Sequence, residues 1–230
     1  APPVPAFAAR GATAHRPIWD DPGVDWAGFD AILVRTTWDY QDKLPAFWAW
    51  TERVSACAPL FNPAETLRWS SHKSYLRQLA KRGVAIPPTE WLPPHHPANI
   101  AALVRGRGWV QGFLKPMVGA TSRETLRFDA SQAGLAAAQA HADRLLPHEG
   151  LLLQEYLPSV QEVGELSLIF IDGALSHAVR KIPVPGDYRV QDDFGARDFP
   201  VEITADEEAL GAHILDLATP GDEPLLYGRV

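Results

Sequence analysis

Apolar and polar positions change period along the chain. Ala31-Ile32-Leu33-Val34 is a continuous apolar run of β-formers, the pattern of a central strand covered on both faces. The polar stretch Arg35–Tyr40 follows it, and from Leu44 to Ala56 the spacing becomes helical. This alternation predicts a parallel sheet with crossover helices over residues 1–62. Upstream, Ala6–Ala9 closes a helix at Gly11. Ala12–Trp19 reads as a weak strand ending in the turn Asp20-Asp21-Pro22-Gly23.

Asn62, Pro63 and Glu65 predict a capped helix, and Ser70 or Ser71 a second one that runs through Leu79 and stops at Gly83. Ile86–Trp91 is extended, because Pro87 and Pro88 forbid a helix interior. After the loop Pro93–Pro97 comes a helix through Ile100, Leu103 and Val104. Trp109–Met117 and Thr125–Phe128 predict a hairpin across the small residues Gly119-Ala120-Thr121-Ser122. The alanine-rich stretch Ser131–Leu146 is a helix, and Leu151–Tyr156 a strand. Leu166–Ile171 and Ser176–Arg180 form a hairpin over Asp172-Gly173. Residues 182–200 read as a long polar loop, Glu207–Leu217 as the last helix, and Pro224–Val230 as a strand. The chain opens without a methionine and stops within that strand, so pieces of a longer protein are expected at both ends.

Composition narrows the class. The 230 residues are 46% apolar and 21% charged, enough to bury a core. Runs such as Leu166–Ile171 are too short to span a bilayer, and the first residues show no basic and apolar pattern of a signal peptide. A lone cysteine, Cys57, excludes an internal disulfide framework and suits a reducing, cytoplasmic setting. A net charge of −7 gives no broad attraction for nucleic acid or an anionic membrane. The absence of any Gly-x-Gly-x-x-Gly turn argues against a dinucleotide-binding dehydrogenase.

Four signals could carry chemistry, each with a plain alternative. Lys115 sits on the otherwise apolar Phe113-Leu114-Lys115-Pro116, where burial needs an anion to meet it; an edge-strand lysine that blocks pairing reads equally well. Lys73, near a helix start, suits an anionic ligand or simply solvent. Gln154-Glu155-Tyr156-Leu157 with Gly164-Glu165 reads as a strand, a hinge and an acid, able to hold a base on backbone groups and hydroxyls on a carboxylate, or as an ordinary strand end. Arg180-Lys181 suits a phosphate or a carboxylate, or is a basic strand end. Among other features, His95-His96 lies between prolines without a third metal ligand, and His72 and Cys57 have ordinary readings. The eight tryptophans read as packing, Trp38 excepted.

The order of these signals resembles the ATP-grasp superfamily, in its glutathione-synthetase-like branch. The stretches Val34–Tyr40, Gly164–Leu168 and Ser176–Lys181 resemble more closely a bacterial subgroup that includes O-ureido-serine cyclo-ligase. The resemblance runs from about residue 18 to Val230. It implies an α/β (α+β) ATP-grasp fold in three parts: an N-terminal parallel-sheet domain (1–62), linking helices with the small subdomain (63–153), and the large subdomain (154–230). Lys73 and Lys115 then match the two phosphate lysines, and Gly119–Thr125, with Thr121 and Ser122, the mobile phosphate loop. Gln154, Glu155, Tyr156 and Leu157 match the adenine hinge, Glu165 the ribose acid, and Lys181 or Arg180 the cation on the transferred phosphate. Arg35, at the carboxyl end of a parallel strand, is the candidate for an acceptor carboxylate, supported by Thr36, Thr37 and Asp39; a structural ion pair with Asp39 is its plain alternative.

The implied cofactors are ATP and Mg²⁺, the implied partner a small amino-acid-like carboxylate and neither nucleic acid nor membrane; homodimers are common in this branch, and no residue here specifies one. The implied activity is ATP-dependent ligation through an acyl phosphate, linear or cyclising; the alternative is a nucleotide-binding module without catalysis. Two departures stand out. The phosphate loop has one glycine where the family is richer, which would stiffen it or recruit Thr121, Ser122 and Arg123 as ligands. The family's metal ligands follow the last helix, so here they are expected beyond Val230.

Overall fold

The computed structural model describes residues 3–219 and 225–230. The chain divides into two compact units, one reaching Ala64 and the other starting at Glu65. No helix among the described residues is long and apolar enough to cross a membrane.

The first unit opens with α1 (Pro3–Ala8), and Gly11 follows it at φ +78°. Ala12–Trp19 forms no strand. Its end is fixed by the buried Trp19, whose ring meets Phe47 and Trp50 at 5.5 and 5.8 Å. The turn after it forms as expected, with the Asp21 carboxylate accepting from Gly23 N–H at 2.8 Å. Next come β1 (Ile32–Leu33), α2 (Leu44–Ser55) and β2 (Leu60–Phe61), with β1 and β2 paired in parallel. The strand expected to be covered on both faces is covered on one: Ile32 is buried, and Leu33 is 37% exposed. α2 buries Phe47, Trp50, Thr51 and Val54, the i, i+3, i+4, i+7 stripe of an amphipathic helix.

The second unit starts inside α3 (Ala64–Ser70), which leads to α4 (Tyr75–Lys81). Neither Ser70 nor Ser71 caps α4. Their hydroxyls donate back to the carbonyls of Leu67 and Arg68, and α4 begins after Ser74. The chain continues through β3 (Thr89–Leu92), α5 (Ile100–Arg107), β4 (Gln111–Pro116), β5 (Leu126–Asp129), α6 (Gln132–Leu145) and β6 (Leu151–Glu155). Asn99 and Ser131 cap α5 and α6 through side-chain oxygens. The four strands make an antiparallel sheet in the order β3-β6-β4-β5. One face packs Leu114, Leu151 and Leu153 against Ile100, Val104, Leu135, Ala138 and Ala142 of the two helices. The period of two turns Phe113 and Lys115 to the other face, opposite Gln154 and Leu152.

A second sheet follows: α7 (Ser159–Glu162), β7 (Glu165–Ile171), β8 (Ala174–Ile182), β9 (Arg197–Pro200), α8 (Ala205–Ala218) and β10 (Tyr227–Arg229). The strand order is β10-β7-β8-β9, antiparallel throughout. Asp172 and Gly173 turn the β7–β8 hairpin with positive φ at both positions. Leu168, Phe170 and Ala178 pack with Leu215 of α8, while Ser167 and Glu165 alternate to the far face. The segment 182–200 is not all loop. It contains a 3-10 turn (Asp192–Phe194) and the edge strand β9, whose four residues are all exposed and so carry no apolar alternation. Pro224, at the start of the expected last strand, lies outside the described residues.

Candidate active site

Lys73 lies in the turn between α3 and α4, stitched to the end of β4. Its N–H donates to Met117 O at 2.8 Å, and its Nζ donates to Pro116 O at 3.1 Å and Gly119 O at 2.9 Å. Burial, with the charges of Lys115 and Arg123, lowers its pKa to about 8, opposed by Glu149. Lys115 projects from the sheet face opposite α5 and α6, beside Phe113, Leu152 and Trp91. Among the described residues its Nζ makes no hydrogen bond, and it lies 4.8 Å from the centre of the Phe113 ring. Burial lowers its pKa too, against the pull of Glu165. Two half-buried ammonium groups, neither hydrogen-bonded to a carboxylate, form a cradle that an anion would relieve.

Glu165 opens β7, in register with Lys181 of β8. The Lys181 ammonium forks onto both oxygens of Asp198 at 3.0 Å. Arg180, one residue earlier, is turned to the opposite face. Its guanidinium donates to Val163 O at 3.4 Å, and its charge acts on Glu207 of α8. Of these two cations, Lys181 therefore shares the Glu165 side and Arg180 does not. The hinge before Glu165 passes close to β8: at Gly164, φ +90°, an added Cβ would lie 2.6 Å from Lys181 O.

In the hinge strand, side chains serve the fold, and two of the backbone N–H groups are already taken. The Gln154 amide donates to Thr89 Oγ1 at 2.9 Å. The Tyr156 ring is buried between Phe113 and the Arg127 guanidinium, 3.9 Å away, with its hydroxyl on Gln161. Glu155 N–H goes to Pro88 O and Tyr156 N–H to Gln111 O. Leu157 is exposed.

In the loop after β4, Thr121, Ser122 and Glu124 all take positive φ, from 49° to 59°. Thr121 is exposed, and the Ser122 hydroxyl donates to Gln191 Oε1 at 3.1 Å. Arg35 belongs to the first unit, in the polar stretch after β1. Asp39 there accepts from Trp19 Nε1 at 2.8 Å and Lys43 Nζ at 3.1 Å, so its carboxylate is committed to fixing the stretch. Trp38 beside it is 64% exposed.

Residues 1–62 match a family described as "D-cycloserine synthetase DcsG, N-terminal domain". The cycloserine biosynthesis protein DcsG of Streptomyces lavendulae is 34% identical over 234 residues, spanning 96% of this chain and 76% of that protein. The crystal structure of D-cycloserine synthetase DcsG superposes with a TM-score of 0.87 at 31% identity, over all of this chain and 80% of that one. The chain belongs to the ATP-grasp ligases.

The ATP-grasp fold extends to more distant structures. A RimK-domain ATP-grasp protein from Sphaerobacter thermophilus aligns with a TM-score of 0.65 at 19% identity, over 98% of this chain and 84% of its own. The ATP-grasp ligase PsnB, complexed with a minimal precursor, aligns at 0.60 and 19% identity, over 98% and 79%. As an ATP-dependent ligase, the chain places several residues around its lysines that sequence reasoning passed over. Tyr188 stacks edge-on against Phe113 at 4.6 Å and donates to Thr125 O, Arg127 covers Tyr156, and Glu149 pairs with Arg123. Most sit in segments without periodicity, and only the cluster Gly186-Asp187-Tyr188-Arg189 within 182–200 hinted at them. No three His, Cys, Asp or Glu side chains among the described residues come together as a metal site, so no ligand of Mg²⁺ is assigned.

Proposed function

We propose that this ATP-grasp ligase activates the carboxylate of a small amino-acid-like substrate and joins it to an amine-type nitrogen of the same molecule, closing a ring. The Lys73–Lys115 pair carries the reading: two cations, half-buried on one patch and depressed by burial, fit a polyphosphate better than any role in stability. When bound, ATP supplies the phosphoryl group that makes the carboxylate an acylating agent. Lys73 and Lys115 neutralise the phosphates, and Lys181 lowers the cost of charge at the transferring group. Glu165 takes ribose hydroxyls, the backbone of Gln154–Leu157 takes the base, and Arg35 takes the acceptor carboxylate. The ring-closing form is favoured by the likeness to DcsG, a D-cycloserine synthetase, across 96% of the chain. PsnB has been seen with Mg and ADP, which supports Mg²⁺ as the accompanying ion.

Calorimetric titration of adenylyl imidodiphosphate with Mg²⁺ into the protein and its Lys115→Ala variant tests the site. Binding to the first and none to the second, with the fold intact, is expected; equal affinity overturns the assignment. ADP release on addition of O-ureido-serine then tests the substrate class, against linear dipeptide-forming pairs of amino acids.

A further inference from the structure

The loop between β4 and β5 has one glycine, yet three of its non-glycine residues adopt left-handed backbone, each at a cost of about 1 kcal/mol or more. Such a conformation persists where surrounding contacts over-determine it, and here they do. Arg123 forks onto both oxygens of Glu149 at 2.9 and 3.0 Å and reaches back to Val118 O at 3.4 Å. The Glu124 carboxylate accepts both ends of the Arg144 guanidinium on α6. His141, one turn before Arg144, holds Glu124 O through Nε2 at 3.0 Å, while its Nδ1 faces the same guanidinium at 3.2 Å. From the other side Tyr188 holds Thr125 O and Gln191 holds the Ser122 hydroxyl. Lys73 ties down Gly119 O.

The outermost of these fastenings is too exposed to matter much for stability. The Arg144–Glu124 side chains are 54% and 34% exposed, and such ion pairs contribute about 1 kcal/mol or less. What they do fix is the path of the backbone that follows Lys115 and meets Lys73 at Gly119. We propose that Gly119–Thr125 is a fastened clasp, set in its phosphate-binding form before nucleotide arrives, and that Arg123, Glu124, Arg144 and Glu149 are positioning residues that hold it. This rests on the phosphate-site reading above. It replaces the mobile loop that the resemblance implies with a stiff one, in which Thr121 is the side chain left to face a ligand.

The test compares two probes, adenylyl imidodiphosphate and AMP, on the full chain. Arg144→Glu should weaken the triphosphate analogue about tenfold, since small misplacement of a binding group is costly, and change AMP about twofold or less. The swap Glu124→Arg with Arg144→Glu should restore the analogue's affinity, and Glu149→Gln should repeat the selective loss. Amides of 119–125 should exchange hydrogen slowly in the unliganded protein and quickly in Arg144→Glu. A general structural defect would instead weaken both probes together with a fall in melting temperature, and that result overturns the clasp. So does unchanged analogue affinity in both Arg144→Glu and Glu149→Gln. If Lys115→Ala still abolishes binding in that case, the phosphate site stands without the clasp; if it too binds normally, the site reading itself falls.

Discussion

Lys73 gives the site its most direct dependence on pH. An ordinary lysine releases its proton near 10.5, and in the fold this one does so at about 8. Between those values the unfolded chain holds a proton that the folded chain has lost, so stability rises with pH across that window. Below about 8 the cost of the buried charge is borne in full. Binding has the opposite sign, because a polyphosphate needs the ammonium. Affinity for adenylyl imidodiphosphate should fall as pH rises above 8, and at pH 8.5 binding should take up protons, seen as a heat that varies with the buffer's ionisation enthalpy. Lys73→Arg should remove both effects; proton uptake that survives the substitution would assign it elsewhere. Lys73 and Lys115 were legible in the sequence because a cation in an apolar or helix-start setting needs a reason. The partners that tune them were not: Glu149 is an unremarkable charge until the fold brings it to Lys73, and Arg123, read as a phosphate ligand, instead pairs with Glu149.

Elements with a clear period were legible, and those without one were not. The stripes of α2 and α6 and the runs of β6 and β7 follow from spacing alone. β9 has four exposed residues and pairs through Asp198 opposite Lys181, a register no local pattern encodes. Ala12–Trp19 has strand-like residues and forms no strand, so local composition alone does not make one. The pair Arg180-Lys181 is the sharpest case. Two adjacent cations look interchangeable in a sequence, and the pleat of β8 sends them to opposite faces. The hinge beside them supplies a prediction. Gly164→Ala would force a Cβ against Lys181 O at positive φ, so it should cost about 2 kcal/mol or more, read as a lower melting temperature. A silent substitution there would mean that the hinge backbone can move away from β8.

At the scale of the whole molecule, the two units divide the proposed work. Arg35 stands in the first and the lysines in the second. Arg35→Ala should leave affinity for adenylyl imidodiphosphate within about twofold and raise the acceptor KM about tenfold or more, as expected when a charged hydrogen-bonding group to a carboxylate is removed. Equal loss of nucleotide affinity would put Arg35 in the nucleotide site instead. The overall architecture was legible because the β-α alternation and the order of lysine, lysine, hinge and acid span most of the chain. Asp39 shows the limit at this scale: it reads as a partner for Arg35 or for substrate, and the fold spends it on Trp19 and Lys43.

The first sheet of the second unit packs α5 and α6 against one face and turns Lys115 to the other, so neighbouring positions answer to different demands. Leu114 is fully buried in the core, and Lys115, the next residue, faces the ligand side. Changes at Leu114 are judged by stability, where filling space decides; changes at Lys115 are judged by chemistry, beside Leu152 and Phe113, which are themselves buried. Effects from the two sides should therefore add with little interaction. A lineage built on such a sheet can change the chemistry at a position like Lys115 while Leu114 and its neighbours in the core keep the protein folded.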